Sequence, residues 1–242
     1  IIRKFSTKAD PGGADEPPAR RRGGGGSARF AVKQGFNRFE WNLRHEDAKT
    51  FPGLILWAGS TAGPRAAPGK YLARLAVNGK TLTAEFEVRK DPRLSTTQEE
   101  FDRQLALLLQ IRDKLTETHE AVIRIREVRR QLEDWAGKYK ELEPQSKELA
   151  KKLTAIEEEL YQTRLRSSQD PLNYPIKLNN KLAALAGIVA SADAAPTDQS
   201  YQLHEELASK INAQLKLLKS ALDTDLAGFN KLVRDKNLAA VK

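Results

Sequence analysis

The sequence predicts a two-part protein of mixed class: an antiparallel β-sandwich over residues 1–94, then a long antiparallel helical bundle over 95–242. Three observations carry this. Apolar residues alternate with period two in several short runs before residue 94. They recur at steps of three and four after it. Glycine and proline enrich the first part, and glycine nearly vanishes from the second.

Five short runs read as strands. Ile1–Ser6 alternates into Phe5, and Ala28–Lys33 sets Phe30 and Val32 on one side. Asn37–Arg44 places Phe39, Trp41 and Leu43 on one face, which predicts Trp41 in a core. Tyr71–Val77 and Thr81–Arg89 each carry four apolar residues in phase, and Asn78-Gly79 lies between them. Both turn residues tolerate positive φ, as a tight hairpin requires. Gly53–Trp57 is a further short apolar run. Short strands with one apolar face point to a sandwich of immunoglobulin type. The strand number is low, and Ile1 opens as if midway along a strand, so the expectation is a sandwich truncated on its N-terminal side. Ala9–Ser27, rich in Pro and Gly, cannot bury apolar surface and is expected to be a disordered loop.

Asp91-Pro92 ends the last strand, because proline cannot donate to a ladder. Thr96 with Glu99, or Thr97 with Glu100, supplies a capping box for the first helix. That helix is expected to reach about Lys140 on a stripe from Phe101 to Trp135, with Thr118 in its one gap. A second helix follows over about 145–166. Pro171 and Pro175 then interrupt, a third helix spans about 176–191, and Pro196-Thr197 starts a final one to about 235. The second and third helices together match the length of each long one. This predicts three antiparallel rods with a broken middle helix, a four-helix bundle being the alternative.

The composition limits the chemistry. With no Cys there is no disulfide, thiolate nucleophile or Cys-based zinc site. His45, His119 and His204 stand in three different elements, so no metal site and no cofactor is expected. The glycine runs at 23–26 and 59–63 lack the lysine and the strand-to-helix context of a phosphate loop. Glu85 and Glu87 fall on the polar side of their strand, and no Ser-His-Asp set is evident, so no catalytic residue is assigned. No apolar run approaches the roughly 18 residues of a membrane span. Residues 1–94 hold 18 Lys and Arg against 9 Asp and Glu, whereas 95–242 hold 23 of each. All of the net +9 therefore sits in the first part, densest at Arg20, Arg21 and Arg22. These three are the candidate polyanion contact, although a solvated loop is the more ordinary reading and nucleic acid is disfavoured as a partner.

Four motifs resemble one known family. Gly35–Arg44, Phe51–Trp57, Ala62-Gly63-Pro64-Arg65 and Pro68-Gly69-Lys70-Tyr71 are similar to the C-terminal region of bacterial BNR-repeat, sortilin-like β-propeller proteins labelled glycosyl hydrolases. Ser167–Asn180, with Asp170-Pro171-Leu172-Asn173-Tyr174-Pro175, fits the same pattern. The first motif also resembles the immunoglobulin-like domain of flagellar hook-cap proteins. The resemblance implies a secreted or periplasmic protein with propeller blades ahead of this segment, and a non-catalytic structural and interaction role for the segment itself. Its implied partner is that upstream propeller, and the long apolar seams of the bundle suit docking of a protein partner or self-association. It also raises the alternative that the segment completes a glycosidase site in the parent. Trp57, Asp170, Asn173 and Tyr174 are then the candidate ligand contacts. Asn42 departs from the family, which carries Asp there, and so cannot serve as a base.

Overall fold

The computed structural model describes residues 1–7 and 32–235. Ala9–Ser27 and Arg20–Arg22 lie outside the described residues, as does most of the expected strand Ala28–Lys33. The protein is mainly helical, with 55% of residues in helix and 9% in strand. Those proportions overturn the immunoglobulin-like sandwich. The only sheet among the described residues is one antiparallel pair, β1 (Gly69–Val77) and β2 (Lys80–Val88).

The hairpin forms where the sequence specifies it. Asn78 and Gly79 both take positive φ, +49° and +75°, which closes a two-residue turn. The register sets Tyr71 opposite Phe86, Ala73 opposite Ala84 and Leu75 opposite Leu82. The expected strands Ile1–Ser6 and Asn37–Arg44 do not form. Alternation defines an apolar side but supplies no hydrogen-bonding partner, and Ile1–Ser6 and Asn37–Arg44 find none beyond one isolated bridge, Arg44 to Arg65. Leu43 has φ +57°, a left-handed conformation that ends the extended run. Trp41 is accordingly half-buried rather than in a core. Its ring meets Tyr71 and Phe86 edge-on at 6.1 Å, and its Nε1–H donates to the Arg44 carbonyl at 2.9 Å.

The helices are α1 (Gln98–Lys138), α2 (Glu143–Leu160), α3 (Leu178–Val189), α4 (Asp198–Ser220) and α5 (Ala227–Asp235). A single π-helical turn, Ala221–Leu226, joins α4 to α5. Helix α1 starts at a complete capping box between Thr97 and Glu100 and runs about 60 Å. Its buried side chains include Ile111, Leu115, Val122, Ile125, Val128 and Leu132. Thr118 occupies the gap in this stripe, fully buried, and its hydroxyl donates to the Lys114 carbonyl at 2.7 Å.

Cross-contacts fix the directions. Ser146 Oγ donates to the Leu132 carbonyl, and Glu157 meets Arg126 and Arg129, so α2 runs antiparallel to α1. Asn179 lies by His119, and Gln104 Nε2 donates to the Val189 and Ala192 carbonyls, so α3 continues the same way. Lys114 reaches Asn212, and Lys152 reaches Asp225, which returns α4 parallel to α1. The bundle thus has three rods, the middle one interrupted from Tyr161 to Lys177.

Candidate functional site

Two features outside the rods give the surface its character: a strap laid over the interruption, and the hairpin that the strap leads into. The strap is residues 45–67. It has no regular structure and packs into the helical core instead of pairing as strand. Phe51 is its wedge, 6% exposed. Its ring meets His119 of α1 and Tyr161 beyond α2 edge-on, each at 5.1 Å, and lies 4.7 Å from the Arg126 guanidinium. An aromatic plug thus occupies the stretch where the middle rod has no helix.

The strap is also bound through its backbone. Arg112 donates to the Glu46 carbonyl at 2.8 Å, and Lys49 N donates to Thr116 Oγ1 at 3.2 Å. The Tyr161 hydroxyl donates to the Gly53 carbonyl at 2.9 Å. Asn180 holds the Trp57 peptide by both its N–H and its C=O. The close crossing near Gly63 explains that glycine, since a Cβ there would collide with the carbonyl oxygens of His45 and Glu46. Gly63 N donates to Asp47 Oδ1 at 2.6 Å, and Asp47 pairs with Arg3 at 3.6 Å.

His119 is the most enclosed polar group here, with no exposed surface. Nδ1 lies 2.5 Å from the Lys49 carbonyl oxygen and Nε2 lies 3.2 Å from Asn179 Nδ2. A carbonyl only accepts, so Nδ1 carries the proton and Nε2 accepts from Asn179: the neutral tautomer fits both partners. Burial pushes the imidazole below its ordinary range, and the strap carbonyl opposes this only in part.

The hairpin presents the opposite character. Tyr71, Ala73, Leu75 and Val77 on β1 and Leu82, Ala84, Phe86 and Val88 on β2 share one face. Leu75 is 55% exposed, Leu82 61% and Val77 49%. Among the described residues Trp41 covers the base, beside the stacked Tyr71 and Phe86 rings. Both outer edges are unpaired among the described residues. A lone two-stranded hairpin is marginal in water and gains stability from a cover on its apolar face.

The candidate ligand contacts do not converge. Trp57 is half-buried and tied by its backbone to α3. Asp170 serves its own loop, accepting from Arg166 N at 2.5 Å, Ser167 N at 2.9 Å and Ser167 Oγ at 2.8 Å; these bonds lower its carboxyl pKa. Asn173 is exposed, and Tyr174 sits under the Arg164 guanidinium at 5.6 Å. Among the described residues no three metal-ligating side chains cluster, and no helix is long and apolar enough to cross a membrane. Comparison with protein-family models, curated proteins and solved structures finds no match to this chain.

From sequence, His119 is weighed only as a metal ligand, and Phe51, Asn179 and Asn180 are given no role of their own. A signal existed for one of them. His119 falls four residues after Leu115 and three before Val122, in phase with the apolar stripe, which marks a buried histidine.

Proposed function

We propose that this chain is a non-catalytic structural and interaction module of a larger exported protein of the BNR-repeat β-propeller kind, attached to the rest of that protein through its hairpin. The observation that carries the reading is the apolar face of β1 and β2, much of it exposed. The bundle serves as the strut, and the strap fixes the hairpin's base to it. The occupant is an apolar sheet face of the preceding propeller portion.

Charge argues against edge-to-edge pairing of two copies. The other face of β1 carries Lys70 and Arg74, and that of β2 carries Glu85 and Glu87. Symmetric pairing of β1 with β1, or of β2 with β2, would set like charges opposite each other, which is unfavourable.

The test is a pull-down and light-scattering measurement with the separately expressed propeller portion of the parent protein. Binding is expected, and the double variant Leu75→Lys/Leu82→Lys is expected to lose it while keeping the wild-type melting temperature. A strictly monomeric chain that ignores the propeller overturns the reading, as does binding that survives the double variant.

A further inference from the structure

We infer that the strap is an acid-weakened clasp: protonation of His119 loosens the hold of the bundle on residues 46–57 and with it the hairpin's anchorage. The geometry carries this. In its neutral form His119 donates from Nδ1 to the Lys49 carbonyl and accepts at Nε2 from Asn179. Adding a proton turns Nε2 into a donor facing the Asn179 amide N–H, two donors 3.2 Å apart in a site without water access. The imidazolium is moreover enclosed by Phe51 and aliphatic side chains, so its charge lacks a counter-ion.

Among the described residues the surrounding ionic groups do not offer one. On the strap, Glu46 and Lys49 are exposed, and Asp47 is engaged by Arg3 and Gly63 N. On α1, Glu120 is exposed, Arg112 binds the Glu46 carbonyl and Asp113, and Arg126 pairs with Glu157. Beyond α2, the Tyr161 hydroxyl is spent on Gly53. On α3, Asn179 and Asn180 are neutral, Lys177 pairs with Glu159 and Lys181 is exposed. Of the strap's holders, His119 is the one whose side-chain type has an ordinary pKa between pH 5 and 8. His45, at the start of the strap, and His204 on α4 are the other histidines, each with Nε2 buried and unpaired; His45 is the one on the strap. It lacks the two fixed partners of His119, so it serves as the control.

The sign follows from linkage. The closed state binds the proton less readily than the open one, whose histidine titrates near 6.5. Closure is complete above that pH and weakens as pH falls below it. For one proton, the opening equilibrium rises about tenfold between pH 7.5 and 5.5.

The experiment is residue-resolved amide exchange on the whole chain at the two pH values, corrected for the intrinsic pH dependence of exchange. The reporters are Lys49 N–H, bonded to Thr116, and Trp57 N–H, bonded to Asn180. Both are expected to open about tenfold more at pH 5.5, with the core of α1 unchanged. His119→Asn keeps a donor for the Lys49 carbonyl and removes the titration, so its reporters are expected to show no pH response. Asn179→Asp retains the histidine and supplies a counter-charge at Nε2, so the response is expected to shrink there too. The inference is overturned if the wild-type reporters are flat between the two pH values. It is equally overturned if His119→Asn responds like the wild type, or if His45→Asn alone abolishes the response.

Discussion

Asn180 grips the Trp57 peptide on both sides: its Nδ2 donates to the Trp57 carbonyl oxygen at 2.7 Å, and its Oδ1 accepts from the Trp57 N–H at 2.7 Å. A side-chain amide here does the work of a neighbouring strand, joining an irregular segment to the first turn of α3 across 123 positions of sequence. Asn180→Asp retains the acceptor but sets a carboxylate oxygen against the Trp57 carbonyl, so it costs more than Asn180→Ala. Each is expected to destabilise by roughly 1–3 kcal/mol, the penalty for stranding a buried polar partner. Thermal melts check this, a loss of 1 kcal/mol appearing as a fall of about 2–4 °C in a chain of this size.

Gly63 tests the crossing beneath the strap. Gly63→Ala drives a methyl group into the His45 and Glu46 carbonyls, which are backbone and cannot swing aside. The Gly63 N–H bond to Asp47 breaks as the chain shifts. Gly79→Ala, where a Cβ meets open space, separates the two effects, because that site loses only the conformational preference of its positive φ. Gly63→Ala is therefore expected to lower the melting temperature further than Gly79→Ala.

The difference between what the sequence revealed and what it concealed follows from range. The start of α1 is written locally, since Thr97 and Glu100 bond each other within one turn. The break before α3 is written locally too, by Pro171 and Pro175. The hairpin is specified by two adjacent residues at its tip. Alternation in Asn37–Arg44, by contrast, states which side is apolar and leaves the partner unnamed. The strap has no period at all, and its fixing contacts lie far along the chain: Lys49 to His119 spans 70 positions and Gly53 to Tyr161 spans 108. An isolated aromatic such as Phe51 reads as readily as loop. Asp170 and Tyr174 drew attention through a motif whose local role is to fold its own turn.

Glu157 measures the electrostatics of the α1–α2 seam. Its side chain is 2% exposed and bridges Arg126 at 2.6 Å and Arg129 at 2.8 Å. Removing one member of a buried ion pair costs roughly 3–5 kcal/mol because the others are left unpaired. Here both arginines retain about a third of their exposure and rehydrate, so Glu157→Gln is expected to cost about 1–3 kcal/mol in urea denaturation. Arg126 also stacks on Phe51, so Arg126→Ala is expected to perturb the strap, whereas Arg129→Ala is not.

Asp170 gives a pH dependence confined to its loop. Three donors lower its carboxyl below the ordinary carboxylate range. A lowered folded value means the bonds support the loop above the unfolded value, near 3.9, and are lost as pH falls below it. Titration followed by NMR is expected to show the Arg166 and Ser167 amides shifting together with this carboxyl. Asp170→Asn is expected to remove that transition while the melting temperature near neutral pH stays close to wild type, since the loop is largely exposed.

Phe51 provides the strongest test of the strap as part of the core. Its ring is enclosed by His119, Tyr161 and Arg126, which belong to α1 and to the segment where the middle rod stops. Truncation leaves a cavity that helices cannot close, because α1 is continuous there and α2 has ended at Leu160. Phe51→Ala is therefore expected to cost roughly 3–5 kcal/mol, the usual range for a buried aromatic. Phe51→Leu keeps part of the volume but loses the edge contacts, and falls between it and the wild type. A strap that merely lay on the bundle would yield a cost near that of exposed Leu82→Ala, within about 0.5 kcal/mol of zero. Urea denaturation of the three variants side by side distinguishes a wedge from a surface loop.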